Sequence, residues 1–279
     1  MCKSIYLTTA IDYVNGQPHL GHAYEKVLTD VLARFHRTQG ADVFFLTGAD
    51  EHGQKVQQAA LAQNKSPQEY CDELAISWGK FIEKLGISPN DYIRTTQSRH
   101  KKVVTAILSK LHKEGHFYKE SYKGFYSTKE ETFLTEKDRL PDGSFAPMWG
   151  EVQELIEDNY YFKLSVHQQW LIDYIESHPE FIYPEYRKNE VLGFLKNEKL
   201  EDLCISRPKA RLSWGIPLPF DPEYVTYVWF DALTNYISAL GYPDTEGNYG
   251  RYWPADAHLV GKDITRFHTV YWPTFLMAA

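Results

Sequence analysis

Ser4-Ile5-Tyr6-Leu7-Thr8-Thr9-Ala10, followed by Asn15-Gly16-Gln17-Pro18-His19-Leu20-Gly21-His22, is the stretch from which the fold can be read. The apolar run predicts a strand, Asn-Gly and Pro mark a turn, and an amphipathic pattern reaching Arg37 predicts a helix, with Pro18 placed where a helix can begin without losing a hydrogen bond. A helix N-terminus offers unpaired N–H groups and the positive end of a dipole, so an anion such as a phosphate is at home there. His19 and His22 add donors that can follow charge as it moves in phosphoryl or nucleotidyl chemistry, and Gly21 lets a nucleotide approach the backbone closely. Taken alone, the tetrad also fits an ordinary capped helix carrying two surface histidines. The order strand, turn, helix is the opening unit of a doubly wound nucleotide-binding fold.

Alternation continues outward from this unit. Val27, Leu28, Val31, Leu32 and Phe35 repeat at helical spacing, and Gly40 is placed to end that helix. Asp42 to Thr47 reads as a buried strand feeding Gly48-Ala49-Asp50-Glu51-His52-Gly53, a loop that should lie beside the histidine turn, because ligands of an open parallel sheet bind outside the carboxyl ends of its strands. The plainer reading of Asp50-Glu51-His52 is a solvated turn capping the next helix. Ser66-Pro67-Gln68-Glu69 is a capping box opening a helix that carries Trp78, Phe81 and Leu85, and a strand (92–94) and helix (98–113, closed by Gly115) follow.

The character changes between His116 and Pro222, where short aromatic strands (117–118, 124–126, 160–162), a Pro141-Asp142-Gly143 turn and a helix opened by Ser165 appear. This segment reads as an insertion, dividing the chain into 1–115, 116–222 and 223–279. Alternation then resumes with a strand from Tyr224 to Phe230. Trp229, Ala232 or Leu233 and Tyr236 form one aromatic helix face, and Ile264, His268 and Trp272 a second. Core packing would explain both, although an imidazole on such a face wants a polar partner or a ligand.

Composition sets the outer bounds. The 279 residues, 43% hydrophobic and 24% charged, suit one large globular domain or two smaller ones. No apolar run approaches a membrane span and no secretory leader precedes the first strand, so a soluble, cytoplasmic protein is expected. Cys2, Cys71 and Cys204 are too few for a disulfide framework or a four-cysteine zinc knuckle. A net charge of -7 argues against a uniformly basic nucleic-acid surface.

Four motifs in order, Thr8 to Gly16 with His19-Leu20-Gly21-His22, then Thr47 to Gly53, then Tyr227 to Leu233, then Gly261-Lys262-Asp263-Ile264 with Phe267-His268, closely resemble the methionyl-tRNA synthetases across essentially the whole chain. The resemblance implies an α/β class I synthetase: a Rossmann-type doubly wound parallel sheet interrupted by an inserted connective-peptide domain. It implies that His19 and His22 are catalytic, binding ATP phosphates with Gly21 and stabilising charge as pyrophosphate leaves, and that Glu25, Gly261 and Asp263 meet the ribose. It assigns Asp50 to the methionine ammonium group, and Ile11, Tyr13, Trp229, Ala232, Leu233, Tyr236, Ile264, His268 and Trp272 to the side-chain pocket, with Tyr236 and His268 near the thioether. The implied partners are methionine, ATP and tRNA(Met), with Mg²⁺ carried on the phosphates.

Departures from the family pattern qualify these expectations. The Lys-Met-Ser-Lys-Ser loop and the anticodon-binding domain are absent from this sequence, and its final apolar segment looks cut within an element, so impaired turnover is expected. A fragment that binds methionine or nucleotide without completing activation is the alternative. The insertion lacks the cysteines of a zinc knuckle, so no structural zinc is expected, with 138–149 a loop held by packing. Asp12 departs from the pattern beside Tyr13. Synthetases for leucine, isoleucine, valine or cysteine share the fold, but not this combination of Tyr13, Trp229, Tyr236, His268 and Trp272.

Overall fold

In the computed structural model, which describes residues 3–127, 129, 132–134 and 136–279, the first part of the chain alternates β1 (Ser4–Tyr13), α1 (Leu20–Thr38), β2 (Asp42–Asp50), α2 (Gln54–Ala62), α3 (Pro67–Lys84), β3 (Asp91–Arg94) and α4 (Ser98–Lys113). The middle part holds strands β4 (Phe117–Ser127), β5 (Thr132–Leu134) and β6 (Val152–Phe162), helices α5 (Gln168–Ser177) and α6 (Glu185–Asn197), and strands β7 (Leu203–Cys204), β8 (Ser206–Pro208), β9 (Pro217–Leu218) and β10 (Asp221–Thr226). The last part comprises α7 (Val228–Leu233), α8 (Asn235–Ser238), α9 (Asn248–Tyr252), β11 (Ala257–Leu259), a π-helical turn (Phe267–Tyr271) and α10 (Trp272–Ala278). Cys2 lies outside the described residues.

The central sheet has the order β11-β1-β2-β3, with every neighbouring pair parallel. Strand order reverses at β1, so a crevice opens between the carboxyl ends of β1 and β11, where doubly wound sheets bind their ligands. Its edges are the histidine turn after β1, the 50–53 segment after β2 and the Gly261 loop after β11. Both faces of the sheet are covered: Ile5, Leu7, Val43 and Phe45 pack into one core, and Tyr6, Phe44 and Leu46 into another. That explains why these strands read as continuous apolar runs. The fold is a Rossmann-type α/β sheet interrupted by an insertion, and the strands between β3 and β11 form two antiparallel sheets, β5-β4-β6-β7 and β8-β10-β9, the second of which crosses the expected boundary at 222 because β10 runs from Asp221 to Thr226.

Several local expectations are corrected. The first helix begins at Leu20 with His19 as its cap, leaving Pro18 outside, because the His19 ring already accepts the Gly21 N–H. Its buried line is Lys26, Thr29, Asp30 and Ala33, whereas Val27, Leu28, Val31 and Phe35 are 41–56% exposed. Polar partners reached across the fold account for this inversion: Asp12 for Lys26, and the Ser88 amide and hydroxyl for Asp30. Tyr224 to Phe230 is not one parallel strand. β10 ends at Thr226 in an antiparallel sheet, and Trp229, Phe230 and Asp231 belong to α7. The two aromatic faces are not continuous α-helices either: Thr234 separates α7 from α8, and Ile264, His268 and Trp272 run through a 3-10 turn, a π turn and α10. Residues 138–149 carry two short 3-10 ends and an Arg139–Phe145 bridge, with Arg139 over the rings of Phe125 and Phe145.

Candidate active site

The histidine turn is held by its own side chains. Gly21 N–H donates to His19 Nδ1 at 3.1 Å, and His19 N–H donates to His22 Nδ1 at 3.2 Å, so two orphan donors of the helix start are satisfied reciprocally. Because both Nδ1 atoms accept, the neutral rings carry their protons on Nε2. The rings stack with centroids 3.7 Å apart, and Trp78 abuts His22 edge-on at 4.9 Å. Burial, then the neighbouring His19 and Lys26, pushes His22 down to about 4, so it is neutral at pH 7.

Beneath the turn, β1 carries one extra residue relative to β2, the register shifting between Thr8 and Ile11. The bulge frees the Ala10 N–H, which donates to Glu25 Oε1 at 2.9 Å. Burial raises Glu25 to about 7. Asp12, just beyond the bulge, forms an ion pair with Lys26 at 2.6 Å, outside good hydrogen-bond angles, and its other oxygen lies 3.8 Å from His22 Nε2. Burial raises Asp12 to about 6 against the opposing pull of Lys26.

The end of β2, which reaches Asp50 rather than Thr47, and the residues after it are interior rather than solvated: Asp50, Glu51 and His52 are all buried. Asp50 pairs in register with Tyr13, and its carbonyl accepts the Val14 N–H. Glu51 receives Arg94 Nε at 2.6 Å and the Thr96 hydroxyl at 2.5 Å, while its carbonyl accepts Trp214 Nε1–H. His52 Nδ1–H donates to Asp231 at 2.6 Å, and His100 Nε2–H reaches the other Asp231 oxygen at 2.6 Å. Burial works to raise Asp231, but His52 and His100 outweigh it and hold the carboxyl well below the usual range. Gly48 is required by close approach, since a Cβ there would lie 2.1 Å from the Ile93 carbonyl oxygen and 3.0 Å from Ile11 Cγ2. Gly53 has φ +119°, and a Cβ on it would meet the Tyr13 hydroxyl at 2.5 Å.

On the β11 side, Tyr236, His268 and Trp272 converge, with Tyr236 5.7 Å from His268 and 5.8 Å from Trp272 between ring centroids. Ala232 and Leu233 are buried beside them, and Ile264 lends its carbonyl to His268 Nδ1. Burial pushes His268 down to about 4. Trp229 stacks face to face on Phe267 at 3.5 Å. His258, which the sequence did not single out, bonds the Thr8 hydroxyl at 2.7 Å and packs 4.3 Å from Tyr236, and burial followed by His268 pushes it down to about 3. Gly261 and Asp263 lie exposed at the mouth, Asp263 paired with Lys262 rather than with the histidine turn.

Phe267, His258, Lys26, His100 and Asp231 are the site-lining or supporting residues that sequence reasoning missed. Asp231 and Phe267 stand inside motifs quoted above, but neither was given a role there. A buried lysine has no local signature at all.

The sequence matches the family described as tRNA synthetases class I (M) over residues 5–142 and 146–279. It is 49% identical over 279 residues to a methionine–tRNA ligase of Rickettsia felis, covering 100% of this chain and 54% of that protein. A methionine–tRNA ligase of Brucella suis is 48% identical over 280 residues, at 99% and 54% coverage. The Mycobacterium tuberculosis methionyl-tRNA synthetase in complex with methionyl-adenylate superposes with a TM-score of 0.92 at 43% identity, covering 99% of this chain and 54% of that one. The apo form of that enzyme gives a TM-score of 0.80 at 41% identity, with coverages of 100% and 54%. The chain thus spans about half the length of the relatives it matches.

Proposed function

The chain belongs to the class I tRNA synthetase (M) family, and from that premise we propose that it contributes the methionine-activating site of a methionine–tRNA ligase. The observation that carries the reading is the pairing of an apolar aromatic pocket, whose imidazole is held neutral, with a buried carboxylate across the sheet crevice. Methionine offers an uncharged thioether for the first and an ammonium group for the second. In this reading Tyr236, His268, Trp272, Trp229, Ala232, Leu233, Ile264, Ile11 and Tyr13 enclose the side chain, with sulfur–aromatic contacts of ~0.3–1.5 kcal/mol each, and Asp50 receives the ammonium.

ATP enters along the histidine turn. The methionine carboxylate is already a nucleophile, so it attacks the α-phosphorus directly: a carboxyl-to-phosphate bond forms, the α–β anhydride bond breaks, and pyrophosphate leaves with the electron pair. His19 and His22, each with a proton on Nε2, oppose the charge that accumulates on the departing oxygens, and Gly21 lets the nucleotide come close to the backbone. Glu25, Gly261 and Asp263 are assigned to the ribose. Among the described residues no three histidine, cysteine or acidic side chains converge as a metal cage, and the nearest carboxylates are engaged, Asp12 with Lys26 and Glu25 with Ala10. Mg²⁺ is proposed to arrive on the nucleotide, and the chain's own residues act without it in the steps above.

Transfer of the methionyl group to tRNA(Met), in the cytoplasm, belongs to the same proposal, as does the division into catalytic halves 1–115 and 223–279 around a connective peptide at 116–222. No described helix is long and apolar enough to cross a membrane. Isothermal titration with methionine, ATP and a non-hydrolysable methionyl-adenylate analogue tests the reading. Tight analogue binding that Asp50→Ala abolishes is expected. Absence of binding for all three ligands in a folded sample overturns it.

A further inference from the structure

Asp231 is wholly buried, yet it accepts hydrogen bonds from two elements distant in sequence: His52, at the end of the β2 segment, and His100, on the first turn of α4. His100 Nδ1 continues the chain of contacts to the Ser238 hydroxyl on α8 at 2.8 Å. A carboxylate oxygen only accepts, so both imidazoles must present N–H to it, which fixes His52 as protonated on Nδ1 and His100 on Nε2. A buried ionic cluster is a weak device for stability, since apolar residues of the same volume do as well or better. What it supplies is geometry, because each bond is directional and no water competes.

The two arms of the cluster end in different places. His52 stands two residues from Asp50, and Asp231 stands two residues from Trp229 and next to Ala232, so this arm ties together the two walls between which methionine is proposed to bind. The His100 arm runs into α4 and, through Ser238, to the last residue of α8, the helix that also carries Tyr236. We infer that the His52–Asp231 bond is a positioning contact that sets the separation of Asp50 from Trp229, while the His100–Asp231 bond secures the carboxylate to the scaffold. The inference rests on the functional reading for its ligand, and on the distances above for its geometry.

The experiment compares His52→Gln with His100→Asn in the full chain, by titration with methionine and with ATP and by hydrogen–deuterium exchange. His52→Gln is expected to weaken methionine about tenfold, as a small displacement of a binding group does, with ATP affinity unchanged within twofold and faster exchange in residues 50–53 and 228–233. His100→Asn is expected to lower the melting temperature and speed exchange in α4, with exchange at residues 50–53 unchanged and methionine weakened less than by His52→Gln. Equal effects of the two substitutions on methionine, or unaltered exchange at residues 50–53 in His52→Gln, overturn the inference. If the unsubstituted chain binds no methionine, the functional reading fails, and the exchange data alone still decide between the two arms.

Discussion

Tyr236 donates its hydroxyl hydrogen to His268 Nε2 at 2.6 Å, because the other ring nitrogen, Nδ1, is committed as donor to the Ile264 carbonyl at 2.9 Å. The imidazole is thereby fixed as the neutral Nδ1–H tautomer, and no proton of the pair is left over for a charged ligand. Tyr236→Phe leaves the His268 acceptor buried and unmatched, so the variant should lose about 1–3 kcal/mol of stability, read as an earlier urea midpoint. Burial lowers His268 to about 4, so the neutral form contributes fully above the ordinary value near 6.5 and is lost as pH falls through 4. Methionine affinity should accordingly be flat from pH 8 to 5; a drop centred near 6.5 would refute the assignment.

Asp12→Asn removes the countercharge of the Lys26 ammonium, which has no exposed surface and no hydrogen-bond partner among the described residues. Breaking one side of such a pair costs on the order of 3–5 kcal/mol, whereas Asp12→Leu with Lys26→Met should recover most of it. Urea midpoints of the three proteins check this, and a single substitution that unfolds no earlier than the double one would contradict it.

Glu25 gives the opposite sign of pH dependence from His268. Its carboxyl is raised to about 7, so the protonated form stabilises the fold fully below the ordinary carboxylate range, and that contribution is lost as pH rises through 7. Glu25→Gln should therefore unfold at higher urea than the parent at pH 8, with the gap closing by pH 4. A gap that widens on acidification would show that the carboxyl is not raised.

Gly48→Ala places a methyl group against the Ile93 carbonyl and side chain, neither of which can swing away without shifting β3. A loss of about 2 kcal/mol or more is expected, at the upper end of overpacking effects. By contrast Gly193→Ala, in α6 with nothing within 4 Å of the new Cβ, should be neutral or stabilising. Thermal melts of the two variants separate the cases.

What could be read from the sequence follows from the range of the forces involved. Ser66 and Glu69 satisfy each other three residues apart, so α3 begins where its cap says. α4 likewise runs over the expected residues. Trp229 and Phe230 read as the end of a strand because a short apolar run has no period long enough to separate strand from helix. The face of α1 inverted because Lys26 finds Asp12 only after β1 and α1 have docked, and Asp30 finds Ser88 58 positions away, pairings that helical periodicity does not encode. The plainer reading, a solvated turn, fails at Glu51 and His52 for the same reason: Arg94 and Thr96 bond the first and Asp231 the second from elsewhere in the fold. The histidine turn was legible since its hydrogen bonds span three residues.

The register Leu7↔Ala257 joins residues 250 positions apart, a separation equal to that of the Tyr6 amide and the Asp256 carboxylate that bonds it. For a ribosome adding roughly 5–20 residues per second, the first strand therefore waits about ten seconds or more with one hydrogen-bonding edge bare. During that interval the nascent chain presents β1 to any strand or chaperone that can use it, and the whole insertion must emerge before its final neighbour exists. Synthesis on stalled ribosomes should show protease resistance of the Tyr6 region appearing only once residues beyond Leu259 have cleared the exit tunnel; protection much earlier would mean that another segment guards the edge.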